Sequence, residues 1–341
     1  MLNTQPLFRR RPTSGQLSTI NTRFWHTSKI MTLFLYASVV FVVIGVAGLI
    51  FDDRQILNQP AWAKTTKFAL SFTLYTPTML WMFSYVTMWP RIKRFVLDAC
   101  GTLLFVEMVL VIMQAVRGQA MHFNISTPFN ALLWTMMSVT IMLFYVVSII
   151  GFVLFLRQKP LVDRAFLLSL RLGMALMLLG FGLGFLMTTP NADQMAVLRS
   201  GGTVAAMGAH TVGAADGGSG ITLLGWSTTH GDLRIAHFVG IHGAQVMALV
   251  GWLLLVGAER RWTFLRSSHR TALVWGVAVA YLAFVGSITW QALRGQPLLK
   301  PDALTLAVWF AIVAGAGLYG VAVVWRARSG SKASPAAQAA G

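Results

Sequence analysis

Residues 100–119 read CGTLLFVEMVLVIMQAVRGQ, an apolar run interrupted once by Glu107 and closed by Gln114, Arg117 and Gln119. A run of this length satisfies its backbone polar groups in lipid by coiling into a membrane-crossing helix. Similar runs at about 31–51, 66–88, 95–115, 130–156, 165–188, 235–258, 271–292 and 304–326 predict eight transmembrane helices. The fold class is an all-α integral membrane protein, embedded in the lipid bilayer of the cytoplasmic (inner) membrane as a multi-pass chain.

The closing motif recurs. Gln114-Ala-Val-Arg-Gly-Gln119 matches Gln291-Ala-Leu-Arg-Gly-Gln296 at an offset of 177, which also carries the second span onto the sixth and the fourth onto the eighth. The economical reading is two tandem four-helix units, residues 31–156 and 165–326, in one orientation because four crossings return the chain to its starting side. The alternative is chance recurrence of a helix-exit sequence.

Composition agrees with that class. The 341 residues are 56% hydrophobic and 11% charged, with a mean hydropathy of +0.67, which excludes a soluble enzyme and a disordered chain. The formal charge of +17 would suggest nucleic acid in a soluble protein, but here the cations flank apolar runs and set topology, so no nucleic-acid partner is expected. Nineteen Lys and Arg fall with the termini and the loops on their side, and eight on the other, where six Asp nearly balance them. That bias predicts cytoplasmic N and C termini. Residues 1–30 read as a cytoplasmic tail, and the first span, with no A-x-A-like site before Asp52, as a retained anchor. Residues 327–341 read as a flexible cytoplasmic tail. The one cysteine, Cys100, excludes an intramolecular disulfide and a multi-Cys metal site.

Loop 189–234 is long, external, and rich in Gly, Thr, Asp and His. Loops of that length are functional or disordered, and Trp226 favours a folded cap. His122, His210, His230, His237 and His242 all fall on the external side or in the outer part of a span. Imidazole is the usual ligand of transition metals and haem iron, so His122, His237 and His242 are candidate cofactor ligands and His210 and His230 candidate metal or lid residues. His237 and His242 are about 140° apart on one helix, which assigns them to different neighbours. For each histidine the bland alternative is a hydrogen-bonded structural role.

Glu107 lies mid-span, where an ionised carboxylate costs a few kcal/mol or more unless paired, and with Arg117 it is the candidate proton-handling pair. Gln114, seven positions on, shares its face. Lys67, Gln114, Asn124, Asp232, Arg234 and Gln245 are candidate substrate contacts, Lys67 by pairing with Glu107 or an anionic group. Trp62 and Lys64 suit the membrane interface. Walker, dinucleotide, HExxH and Gly-x-Ser-x-Gly motifs are absent.

Eight spans in two tandem units with outer-side histidines resemble, in layout, the haem A synthases, whose paired bundle histidines hold haem. The resemblance implies haem as cofactor; in this chain the second and eighth spans contain no histidine. Three functions follow: a haem- or metal-binding redox membrane protein with an external site; a carrier or channel for a small solute or ion using Glu107 and Lys67; or an accessory or assembly subunit binding a membrane or external protein partner through loop 189–234.

Overall fold

The computed structural model describes residues 14–159 and 163–338, with side chains for residues 20–330 of these. After α1 (Ser14–Thr27) the chain runs through α2 (Lys29–Phe51), a short hairpin of β1 (Gln55–Ile56) and β2 (Gln59–Pro60), then α3 (Ala63–Phe83), α4 (Pro90–Val116) and α5 (Pro128–Arg157). The second part begins with α6 (Arg164–Leu183), extended by a 3-10 turn, Gly184–Met187. It continues through α7 (Ala192–Arg199), the antiparallel pair β3 (Thr211–Val212) and β4 (Gly231–Asp232), α8 (Leu233–Ile241), α9 (Gly243–Arg260), α10 (Ser267–Leu293) and α11 (Ala303–Gln338).

Seven helical segments among the described residues are long and apolar enough to cross a membrane. The protein is therefore a helical, multi-pass membrane protein. The seven correspond to every expected span but the second. That span is α3, 21 residues long, whose Lys64, Lys67 and run of Ser and Thr lower its hydropathy. α8 and α9 together form the sixth span, broken at His242. α11 continues through residues 327–338 to Gln338. Residues 339–341 and 1–13 of the expected tails lie outside the described residues.

Lipid tails are as apolar as leucine, so helices in a bilayer associate through close packing and satisfied polar groups rather than hydrophobic transfer. α2 packs on α3 and α4, and α4 on α5; likewise α6 packs on α9 and α10, and α10 on α11. α5 and α6 join the two sets. α6 also approaches α8 closely: a Cβ added to Gly180 would lie 2.2 Å from the Gly240 carbonyl carbon. The hydroxyls of Thr32, Ser38 and Ser148 return to carbonyls four residues earlier on their own helices, which removes unpaired donors from the apolar layer.

At the face of the bundle carrying the termini, Arg270 pairs with Asp163 at 2.5 Å and Ser28 donates to Asp98 at 2.5 Å. Between that face and the middle, Phe83, Phe144, Phe155, Phe166 and Met79 pack without exposure above 2%. The opposite face is closed by residues 189–234, which fold as a cap. An Asn191–Gln194 capping box starts α7, β3 pairs with β4, and Asn124 and Ala206 form a bridge between the cap and the α4–α5 loop.

Candidate functional site

α4 carries Glu107 into the bundle with no exposed surface. Its Oε1 lies 3.4 Å from His122 Nε2, and neither carboxyl oxygen forms a hydrogen bond. His122 reaches it from the α4–α5 loop, where Phe123 takes a left-handed φ of 64° that turns the chain back toward the bundle. Phe68, Phe123 and Trp134 surround the His122 ring at centroid distances of 5.9, 6.2 and 5.7 Å. Burial, followed by the charges of Lys64, His210 and His237, holds the His122 imidazole well below its ordinary pKa and so neutral. Its Nδ1 is buried without a partner.

The cap supplies a second imidazole. The His210 ring lies tilted against Phe123 with centroids 4.9 Å apart, and its Nδ1 lies 2.5 Å from Asp216 Oδ2. Burial lowers the His210 pKa to about 4 against the pull of Asp216. Burial alone would raise the Asp216 carboxyl, but the hydrogen bonds it accepts from His210 and from the Thr211 backbone hold it below the usual carboxylate range. The pair is thus an ionised Asp216 accepting from the Nδ1–H of a neutral His210, which leaves Nε2 as an acceptor.

Lys64 and Lys67, three apart on the first turns of α3, face this region. Lys67 donates to the Leu224 carbonyl of the cap at 2.7 Å. Lys64 is half-buried, within electrostatic reach of Glu107, Asp216, Lys67 and Arg234, and makes no hydrogen bond or ion pair among the described residues. Glu107, His122, His210, Asp216, Lys64 and, electrostatically, His237 therefore converge beneath the cap.

The other candidates serve the scaffold. Asn124 donates to the Ala120 carbonyl and accepts from Ser126 at 2.7 Å, so it ties its own loop. Gln114 shares the buried face of Glu107, but its amide donates to the Ala120 carbonyl and its oxygen accepts from Arg117. Arg117 turns outward to Asn130 and over the Phe129 ring at 4.6 Å, rather than toward Glu107. Asp232, fully buried, accepts from Ser227 N and from Arg234, whose guanidinium also holds the Gly225 carbonyl; together they fasten the cap to the start of α8. His230 pairs with Thr229 Oγ1 at 3.0 Å.

His237 and His242 face different neighbours. His237 Nδ1 lies 2.8 Å from the Gly180 carbonyl. His242 meets the Phe238 ring edge to face at 4.4 Å, beside Gln245, with its Nε2 and the Gln245 Oε1 both buried without a hydrogen bond among the described residues. Among the described residues, no three His, Cys, Asp or Glu side chains converge to hold a metal ion. His122 directs Nε2 at Glu107 and His237 directs Nδ1 at a backbone carbonyl. Haem or metal binding therefore finds no support in this arrangement.

Two participants were not singled out as site residues from sequence. Asp216 sits in a Gly-rich stretch with no periodicity to place it, and Lys64 reads as an interfacial anchor; its i, i+3 spacing to Lys67 is the signal that puts both on one face.

Comparison with known protein families, with curated proteins and with solved structures found no match.

Proposed function

We propose that the protein is a proton-linked carrier of a small solute in the cytoplasmic membrane. On this reading eight membrane helices form two tandem four-helix units, both termini are cytoplasmic and the capped face is external. The single observation that carries the functional reading is Glu107: fully buried, without a hydrogen bond, and 3.4 Å from an imidazole that reaches in from the α4–α5 loop. A carboxyl in that setting is rarely structural, and an adjacent imidazole gives it a partner for proton exchange.

The surroundings support the same reading. Lys67 and the Leu224 carbonyl hold the cap against α3, which suits a gate. Apolar packing around Phe83, Phe144 and Phe155 closes the route to the other face, so with the cap shut the cluster is closed from both sides, as in an occluded state. The tandem arrangement is supported by two loops that close alike. Gln114 donates to the Ala120 carbonyl at 3.2 Å and Gln291 to the Pro297 carbonyl at 2.9 Å, while Gly118 and Gly295 adopt φ of 67° and 71°.

The test is reconstitution into liposomes holding a pH-sensitive dye, with gradients of small organic acids, amines and sugars imposed in turn. Solute-dependent proton movement in the wild type, lost in Glu107→Gln, is expected. No proton movement with any of them, from protein shown to be folded and inserted, would overturn the reading.

A further inference from the structure

Among the described residues, the Glu107 carboxyl and Nδ1 of His122 are buried without a hydrogen bond, and the Lys64 ammonium has neither a hydrogen bond nor an ion pair. The cluster's other cations are occupied, Lys67 by the Leu224 carbonyl and Arg234 by Asp232 and the Gly225 carbonyl. A half-buried ammonium without a counter-ion, within electrostatic reach of a buried carboxyl that makes no hydrogen bond, is available to an anionic ligand.

We propose that Lys64 receives the carboxylate of a small monocarboxylate with an apolar body. This rests on the carrier reading above and names its substrate class. The charge follows from the neighbours: Lys64 attracts one anionic group, while Asp216 and Glu107, both within its field, disfavour a second. The apolar body follows from the wall, because Phe68, Phe123 and Trp134 gather around His122 at 5.7 to 6.2 Å. A strongly hydrated inorganic anion would find few donors there to replace its water, whereas a hydrocarbon or aromatic body packs on those rings. Glu107 and His122 then face the carboxylate as the groups that exchange a proton with it or with its surroundings.

The experiment is equilibrium binding of benzoate and butyrate to purified full-length protein in mild detergent, with butyramide, chloride and phosphate as comparisons. Saturable binding of both carboxylates, and none of butyramide, is expected. Lys64→Gln weakens it about tenfold, the worth of one charge-assisted hydrogen bond, while Lys64→Arg retains most of it, and monodisperse elution verifies that both variants fold. The absence of saturable carboxylate binding in the wild type, or binding unchanged in a folded Lys64→Gln, would overturn the assignment. Equal binding of phosphate or chloride would overturn it too. Lys64-dependent benzoate binding without proton movement in liposomes upholds the site and removes the carrier reading. Proton movement driven by a neutral solute and indifferent to Lys64→Gln removes this assignment and leaves the carrier.

Discussion

Glu107 on α4 and His122 on the following loop face each other at 3.4 Å across a space that no hydrogen bond fills on the carboxyl side. Fifteen residues of chain, Arg117's outward turn and the left-handed Phe123 combine to produce that meeting. A buried group of this kind is retained against its desolvation cost, so its removal separates function from stability. Glu107→Gln and Glu107→Leu are expected to melt in detergent at or above the wild-type temperature while losing proton exchange. Thermal unfolding followed by tryptophan fluorescence checks this, and a marked fall in melting temperature would assign Glu107 a structural role instead.

The cap is expected to loosen in acid. His210 has its pKa lowered from 6.5 to about 4, so between those values the unfolded chain binds more protons than the folded one and stability declines as pH falls. Asp216, held below its ordinary value, contributes stability that is present above about pH 4 and lost below it, in the same direction. Hydrogen exchange of residues 208–216 is therefore expected to quicken as pH falls from 6.5 to 4, after correction for intrinsic rates. Asp216→Asn, which weakens acceptance from His210 and Thr211, should show the fast exchange already at neutral pH.

Packing at the α6–α8 crossing gives a stability prediction with an internal control. Gly180→Ala places a methyl 2.2 Å from the Gly240 carbonyl carbon, so the helices must separate, at a cost of about 1–3 kcal/mol. Gly315→Ala on α11 meets nothing within 4 Å and gains about 1 kcal/mol of helix propensity. Detergent melting curves are expected to move in opposite directions for the two.

Sidedness is testable by labelling. Cys100 is 3% exposed and its native thiol should resist a membrane-impermeant maleimide in intact cells. A cysteine at Gly201, where nothing lies within 4 Å, is expected to react from outside, and one at Gly330 only after the membrane is breached. The reverse pattern would invert the topology.

Seven of the spans were legible because a bilayer imposes a length, and their bounds fall within a few residues of the apolar runs. α3 was harder to place, since Lys64, Lys67 and its hydroxyl residues carry cluster and contact roles that dilute the apolar signal. The buried position of Glu107 followed from its setting in the third span. Its partner did not, because His122 arrives through a loop whose turn depends on a strained Phe123. Local pattern likewise could not show that His210 and Asp216 fold back onto Phe123, or that Arg117, Asn124, Asp232 and Arg234 satisfy backbone and side-chain groups nearby. Most of these contacts are short in sequence, such as Asn124 to Ala120 and Arg234 to Asp232, but they lie in loops and turns, about which helical periodicity carries no information.

The most direct measurement is infrared difference spectroscopy of the carboxyl C=O stretch, recorded in detergent or lipid as external pH and benzoate are varied. One carboxyl band that shifts or changes intensity with both, is absent in Glu107→Gln and is displaced in His122→Asn is the expected result. A spectrum unresponsive to pH and benzoate, or one that Glu107→Gln leaves unchanged, would contradict the account.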